Sequence, residues 1–172
     1  MSNLLKVKVV VENFTFKDTD PSFTMYKRVR CTKEDGSTIY FKELIVPRFL
    51  QAAVKNKKFN TLYLADISRG KAHCLIAYEN DAVSKFDPDE IQDIAKAFKR
   101  TGKFFWFGGA LASFLSSFAY GIGIILFPIA MYLGWANYVR IPRVLDEKKI
   151  IEGLKSAGFR FARPAETSGA AA

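Results

Sequence analysis

The longest stretch without a charged residue constrains the fold of this chain more than any other feature of its sequence. Residues 104–139, 36 in a row, include no Asp, Glu, Lys, Arg or His. A helix in a soluble core seldom exceeds about 20 residues and usually keeps one polar face. The rest of a 172-residue chain is too small to enclose a segment of this size. The sequence therefore predicts an integral membrane protein.

This stretch is too long for one upright membrane helix and slightly short for two. Crossing a hydrocarbon core of about 30 Å takes about 20 helical residues. Gly121 and Gly123 fall near its middle, and Trp106 and Trp135 lie near its ends. In a hairpin that turns at these glycines, both tryptophans reach the same membrane interface, where tryptophan is enriched. We predict a transmembrane or re-entrant helical hairpin; the alternative is one long tilted helix, kinked at Pro128.

Basic residues flank the charge-free stretch on both sides. Positive charge favours the cytoplasmic side of a membrane, and a hairpin keeps both flanks there. The net charge of +9 also suits anionic lipid headgroups as partners beside the bilayer itself. We expect an inner or plasma membrane protein whose N-terminal domain and C-terminal tail are cytoplasmic. Besides the two tryptophans, the residues predicted at the membrane interface are Lys99, Arg100, Lys103, Arg140 and Arg143.

Small residues cluster early in the predicted hairpin. Gly108, Gly109, Ala112 and Ser113 form two overlapping patterns with a spacing of four. Such patterns let two membrane helices approach closely. We predict a helix-packing face here, within the hairpin or between chains, and hence a homo-oligomer or a membrane protein complex.

The N-terminal part has the alternating pattern of β-strands. Five strands are predicted, over residues 4–16, 23–32, 38–43, 59–67 and 72–78, with a short helix after the third. Asp35-Gly36 marks a tight turn between the second and third strands. This order matches the five-stranded barrel called the OB-fold. A different α+β meander is the alternative.

The chain divides by composition into four segments. Asp87 and Pro88 begin a helix, as an N-cap and a first helical residue. The predicted α+β membrane protein therefore consists of a soluble β-rich domain (1–86), an amphipathic linker helix (87–103), the membrane hairpin (104–139), and a short amphipathic helix with a disordered tail (140–172).

No set of residues with catalytic or metal-binding spacing occurs in the sequence. It has one histidine, His73, and two cysteines, Cys31 and Cys74, and His73 and Cys74 point to opposite faces of one predicted strand. We therefore expect neither an enzyme nor a cofactor or metal site. The predicted function is a non-catalytic, membrane-anchored binding or regulatory module, oligomeric in the membrane.

Two other functions fit the same pattern. One is a membrane-perturbing or pore-forming effector whose soluble domain senses a ligand or partner. The other is a basic OB-like domain that binds nucleic acid while held at the membrane. Basic residues such as Arg28, Arg48 and Lys55 accompany aromatic ones such as Tyr26 and Tyr40, a composition typical of single-strand-binding surfaces.

Overall fold

The computed structural model describes residues 4–120 and 123–161. Six strands come first, with a 3₁₀ turn at Arg48–Leu50 and a short helix between the third and fourth. Helices make up the rest, interrupted by a π-helical segment at Ala136–Arg140. The elements are β1 (Leu5–Thr19), β2 (Phe23–Lys33), β3 (Thr38–Pro47), α1 (Ala52–Lys55), β4 (Asn60–Asp66), β5 (Ala72–Glu79), β6 (Ser84–Lys85), α2 (Pro88–Tyr120), α3 (Gly123–Trp135), α4 (Ile141–Val144) and α5 (Glu147–Ser156).

The first five strands close into a barrel. β1 pairs antiparallel with β2 and with β4, β2 pairs antiparallel with β3, and β4 with β5. The parallel pairing of β3 with β5, where Leu44 lies opposite His73, completes the circle. The predicted five-stranded barrel is thus confirmed. Gly36 has a φ of +78° in the β2–β3 turn, the conformation that the Asp-Gly pair predicts.

The structure extends two predicted strands and adds a sixth. β1 and β3 run three and four residues further than expected, because the β1–β2 and β2–β3 ladders continue to Thr19 and Pro47. Residues 80–86, where no strand is predicted, contain the short strand β6, which extends the sheet beyond β5. The C-terminal helix begins at Glu147, where the Asp146 carboxylate accepts a hydrogen bond from the Lys149 amide.

Two apolar cores share the barrel wall. One fills the barrel and includes Val29, Leu44 and Leu62. The other covers the outer face of β4 and β5, where Tyr63 and Ile76 are fully buried. Because these two strands are buried on both sides, they read as nearly continuous apolar runs instead of alternating ones.

The second core is built by helices from both flanks of the charge-free stretch. Ile91 and Ile94 of α2 pack there, and so do Leu145, Ile150 and Leu154 after the return of the chain. The two ends of the helical region therefore lie against the same face of the barrel.

Helix α2 continues from the barrel into the charge-free stretch. Asp87 accepts hydrogen bonds from the Asp89 and Glu90 amides, as expected of an N-cap. The helix then runs to Tyr120 with no break at residue 103, so the predicted linker helix and first hairpin arm form one rod. One side of α2 contacts the barrel core through Ile91 and Ala95, and further along contacts the π-helical segment after α3 through Gly102.

Candidate functional site

The paired helices α2 and α3 form the most distinctive surface of the protein. Their register is antiparallel: Gly102 faces Tyr138, Trp106 faces Gly134, and Gly109 faces Ala130. Gly123, one of the two predicted turn residues, begins α3, and Gly121 lies outside the described residues. The described residues therefore form a helical hairpin, held together by small residues on both arms.

Each glycine in this contact leaves room for a side chain or backbone of the other arm. A Cβ atom at Gly102 would lie 2.6 Å from the backbone nitrogen of Tyr138. At Gly109 it would lie 2.6 Å from the Cβ of Ala130, and at Gly134 it would overlap the Trp106 ring. Real Cβ atoms do not approach so closely, so only glycine fits at this separation of the arms.

The four predicted helix-packing residues do not all face the other arm. Gly109 contacts it directly, and Ser113 is 3% exposed on the same side of α2. Ala112 is exposed, and a Cβ at Gly108 would meet only Phe104 of its own helix, at 3.7 Å. The predicted packing residues do not include Gly102 and Gly134, which also contact the other arm. The seven-residue spacing between Gly102 and Gly109 could have indicated the contact at Gly102.

The serines of α2 bond to their own helix. Ser113 donates to the Gly109 carbonyl at 2.6 Å, Ser116 to Ala112 at 2.8 Å and Ser117 to Ser113 at 2.9 Å. Each hydroxyl therefore donates its hydrogen bond within its own helix, as serines in apolar helices commonly do. A shallow cavity of about 560 Å³ beside Ser113 and Ser117 is otherwise lined by apolar side chains such as Phe114 and Phe127.

The two tryptophans differ in environment. The Trp106 ring lies between the arms, 5.1 Å from the Tyr138 ring, and its indole N–H donates to the Met131 carbonyl at 3.3 Å. Trp135 points outward beside Tyr132. Both lie towards the barrel end of the hairpin, as the Trp106–Gly134 contact requires.

The predicted interface cations lie at that same end. The contact of Gly102 with Tyr138 places Lys99, Arg100 and Lys103 within a turn of the level where the returning arm carries Arg140 and, one turn on, Arg143. Four of these side chains are exposed and Arg140 is half-buried. The two basic flanks thus form one collar where the hairpin meets the barrel.

Above the collar, apolar side chains face outward all round the hairpin. Phe104, Phe107 and Ile124 are 73%, 77% and 76% exposed, among fourteen exposed large apolar residues between positions 104 and 135. The rest of the described chain has six. Among the described residues, the segment Ile124–Val144 is long and apolar enough to cross a membrane.

The barrel carries a groove of different chemistry. This groove, called the β1–β2 groove below, has a volume of about 590 Å³. Aromatic rings of β1 and β2 form one wall, and residues around α1 form the other. It is lined by Phe14, Phe16, Thr19, Thr24, Tyr26, Arg48, Gln51 and Lys55. Of the basic and aromatic residues singled out in the sequence, it brings together Arg48, Lys55 and Tyr26.

The thiols and the histidine are packed into the structure. Cys31 lies in the barrel interior and Cys74 in the second core, both as free thiols whose pKa burial raises to about 12. The His73 ring lies edge-on to Phe41 at 5.2 Å. Within residues 4–120 and 123–161, no three His, Cys, Asp or Glu side chains could hold a metal ion together.

Comparison with known proteins assigns the chain to no family. No protein-family model matches the chain, and no curated protein or solved structure matches it either.

Proposed function

We propose that this protein is a membrane-anchored binding module in which the α2–α3 hairpin inserts into the bilayer and holds the barrel at its surface. The observation that carries the proposal is the apolar exterior of the hairpin. In water, that contiguous surface would far exceed the patches that monomeric proteins expose. In lipid it needs no cover, because the helices satisfy their own backbone hydrogen bonds.

The two faces of α2 support the same interpretation. Phe107 and Leu111 are exposed, whereas Gly109 and Ser113 face the other arm. Small residues inside and large apolar residues outside are typical of membrane helix pairs, since the lipid competes with the helices for apolar contact. A soluble helix pair would show the reverse pattern.

Both arms enter from one side of the membrane in this proposal. Ile94 and Leu145 pack in one core, so the barrel and both ends of the hairpin stay together. The collar of Lys103 and Arg140 would lie among anionic headgroups on the cytoplasmic side. The arm from Phe104 to Tyr120 is about 25 Å long, which crosses most of a 30 Å hydrocarbon core.

The barrel would be the binding part, of the OB type. Its strand pairing, with the helix after β3 and a parallel β3–β5 contact, is the arrangement that suggests an OB-fold. Because α2 is one rod, the barrel would be held at a fixed height and orientation above the bilayer. A homo-oligomer or a membrane protein complex remains the proposed assembly.

Substitution on the hairpin exterior tests the membrane proposal. Leu111→Asp places a charge on a residue that is 61% exposed, and Tyr40→Asp does the same at a barrel residue that is 66% exposed. An aspartate costs about 2.5–3.5 kcal/mol at the centre of a membrane helix and little in water. We expect Leu111→Asp alone to lower the fraction of protein that remains in alkali-washed membranes. Wild-type protein released by alkali, or equal behaviour of the two variants, would refute insertion.

Labelling of Ser2→Cys and Ser168→Cys in intact cells tests the topology. The buried Cys31 and Cys74 give a low background. We expect an impermeant thiol reagent to label neither site until the membrane is permeabilised. Labelling at position 168 alone would contradict the hairpin.

The alternative functions make different predictions. A pore-forming effector would release dye from vesicles, and a nucleic-acid-binding domain would bind an oligonucleotide with strong salt dependence. A membrane-anchored binding module does neither and instead co-purifies with a partner from solubilised membranes.

A further inference from the structure

We propose that the β1–β2 groove binds the phosphate of an anionic phospholipid headgroup in the membrane that holds the hairpin. Arg48 and Lys55 supply two cations to the groove, and none of the described residues that line it carries a carboxylate. The aromatic side chain of Phe16, 60% exposed, stands at its edge. Cations beside aromatic rings suit the boundary between charged headgroups and acyl chains. The proposal rests on the membrane insertion proposed above.

The position of the groove points to lipid. The β1–β2 turn separates it from the base of the hairpin, and the Arg48 amide donates to the Ser22 carbonyl in that turn at 3.2 Å. Directly after the turn, Phe23 stacks on Phe98 of α2, with ring centroids 5.7 Å apart. Pro21 and Phe104 line one further cavity, so the turn lies at the level where the charge-free stretch begins. If the hairpin inserts as proposed, a groove next to this turn would lie near the headgroups.

A chain of hydrogen bonds positions Lys55 in the groove. Lys55 donates to Gln51 at 2.9 Å, and Gln51 in turn donates to the Thr24 hydroxyl at 2.9 Å. Two carboxylates lie close by in the sequence: Asp18 of β1 accepts a hydrogen bond from the Thr19 amide, and Asp20 of the β1–β2 turn accepts one from the Ser22 amide. The Lys55 ammonium is thus oriented by Gln51, and the exposed guanidinium of Arg48 lines the same groove, so that both cations can contact a phosphate oxygen.

Native mass spectrometry of the full-length protein in detergent micelles tests the proposal, with added phosphatidylglycerol and phosphatidylcholine as probes. Wild type is expected to retain phosphatidylglycerol in preference to phosphatidylcholine. Arg48→Gln and Lys55→Gln are each expected to weaken phosphatidylglycerol binding roughly fivefold, the effect of one basic residue near an anionic surface. Lys58→Gln, an exposed cation outside the groove, is the matched control and should bind as wild type.

Phe16→Ala provides a second variant, since its exposed ring can be removed with little risk to folding. Weaker phosphatidylglycerol binding by this variant would support the groove as the site. Equal binding by wild type and by Arg48→Gln would overturn the proposal. So would equal retention of phosphatidylglycerol and phosphatidylcholine by wild type. Binding of a single-stranded oligonucleotide that is lost in Arg48→Gln, without such a lipid preference, would assign the groove to nucleic acid. These outcomes are distinct from release of the wild-type protein by alkali, which would refute membrane insertion itself.

Discussion

Adding one methyl group at Gly109 should weaken the hairpin, while the same change at its neighbour Gly108 should not. In Gly109→Ala the new Cβ lies 2.6 Å from the Cβ of Ala130. In Gly108→Ala the nearest atom outside the local backbone is 3.7 Å away, at ordinary contact distance. The two residues are adjacent in one helix, so the pair isolates the effect of the opposite arm.

The expected difference in stability between the two variants follows from these distances. Carbon atoms prefer a separation of about 3.5–4.0 Å, so the arms must move apart by about 1 Å at Gly109. Overpacking of this kind costs about 1–3 kcal/mol. Both variants gain the same helix propensity, up to about 1 kcal/mol in water. Gly109→Ala should therefore be about 1–3 kcal/mol less stable than Gly108→Ala.

Tryptophan fluorescence can follow this unfolding directly. The only two tryptophans of the chain, Trp106 and Trp135, lie in the hairpin, and Trp106 packs between its arms. Titration with a denaturing detergent in mild micelles gives the free energy of unfolding. Adding Ala130→Gly to Gly109→Ala removes the opposing methyl and should restore most of the lost stability. Equal stabilities for Gly109→Ala and Gly108→Ala would refute the close contact.

Three further predictions concern the barrel. The sequence predicts that residues 1–86 form a soluble domain. The structure instead predicts that a chain ending at Asp87 aggregates on gel filtration, because Ile76 and its neighbours lose the helices that cover them. A monomeric, β-rich fragment would contradict this packing. Cys31 and Cys74, with pKa values raised to about 12, should resist thiol reagents at pH 8 until denaturant is added, as mass spectrometry of the labelled protein can show. Burial lowers the pKa of His73, so the unfolded chain takes up its proton first and stability should fall as the pH drops below about 6.5. Urea unfolding should show a shallower loss over this range in His73→Gln; an unchanged slope would contradict it.

Local features of the sequence predicted the elements well. The alternation in β1, the Asp35-Gly36 turn and the Asp87 cap depend on residues a few positions apart, and each is present in the structure. The charge-free stretch is likewise a property of the chain alone, and it forms helices with fourteen exposed large apolar side chains between positions 104 and 135.

Contacts between distant segments were decided only by the tertiary structure. Gly108 and Gly109 look alike in the sequence, but one residue along a helix is a rotation of about 100°, and only the position of Ala130 shows which one matters. The parallel β3–β5 pairing that closes the barrel has no local signal either. The return of Leu145 to the core occupied by Ile94 likewise depends on residues some fifty positions apart meeting on one barrel face. A pattern of polar and apolar residues shows that a face is buried, but the partner that buries it is known only once the chain has folded.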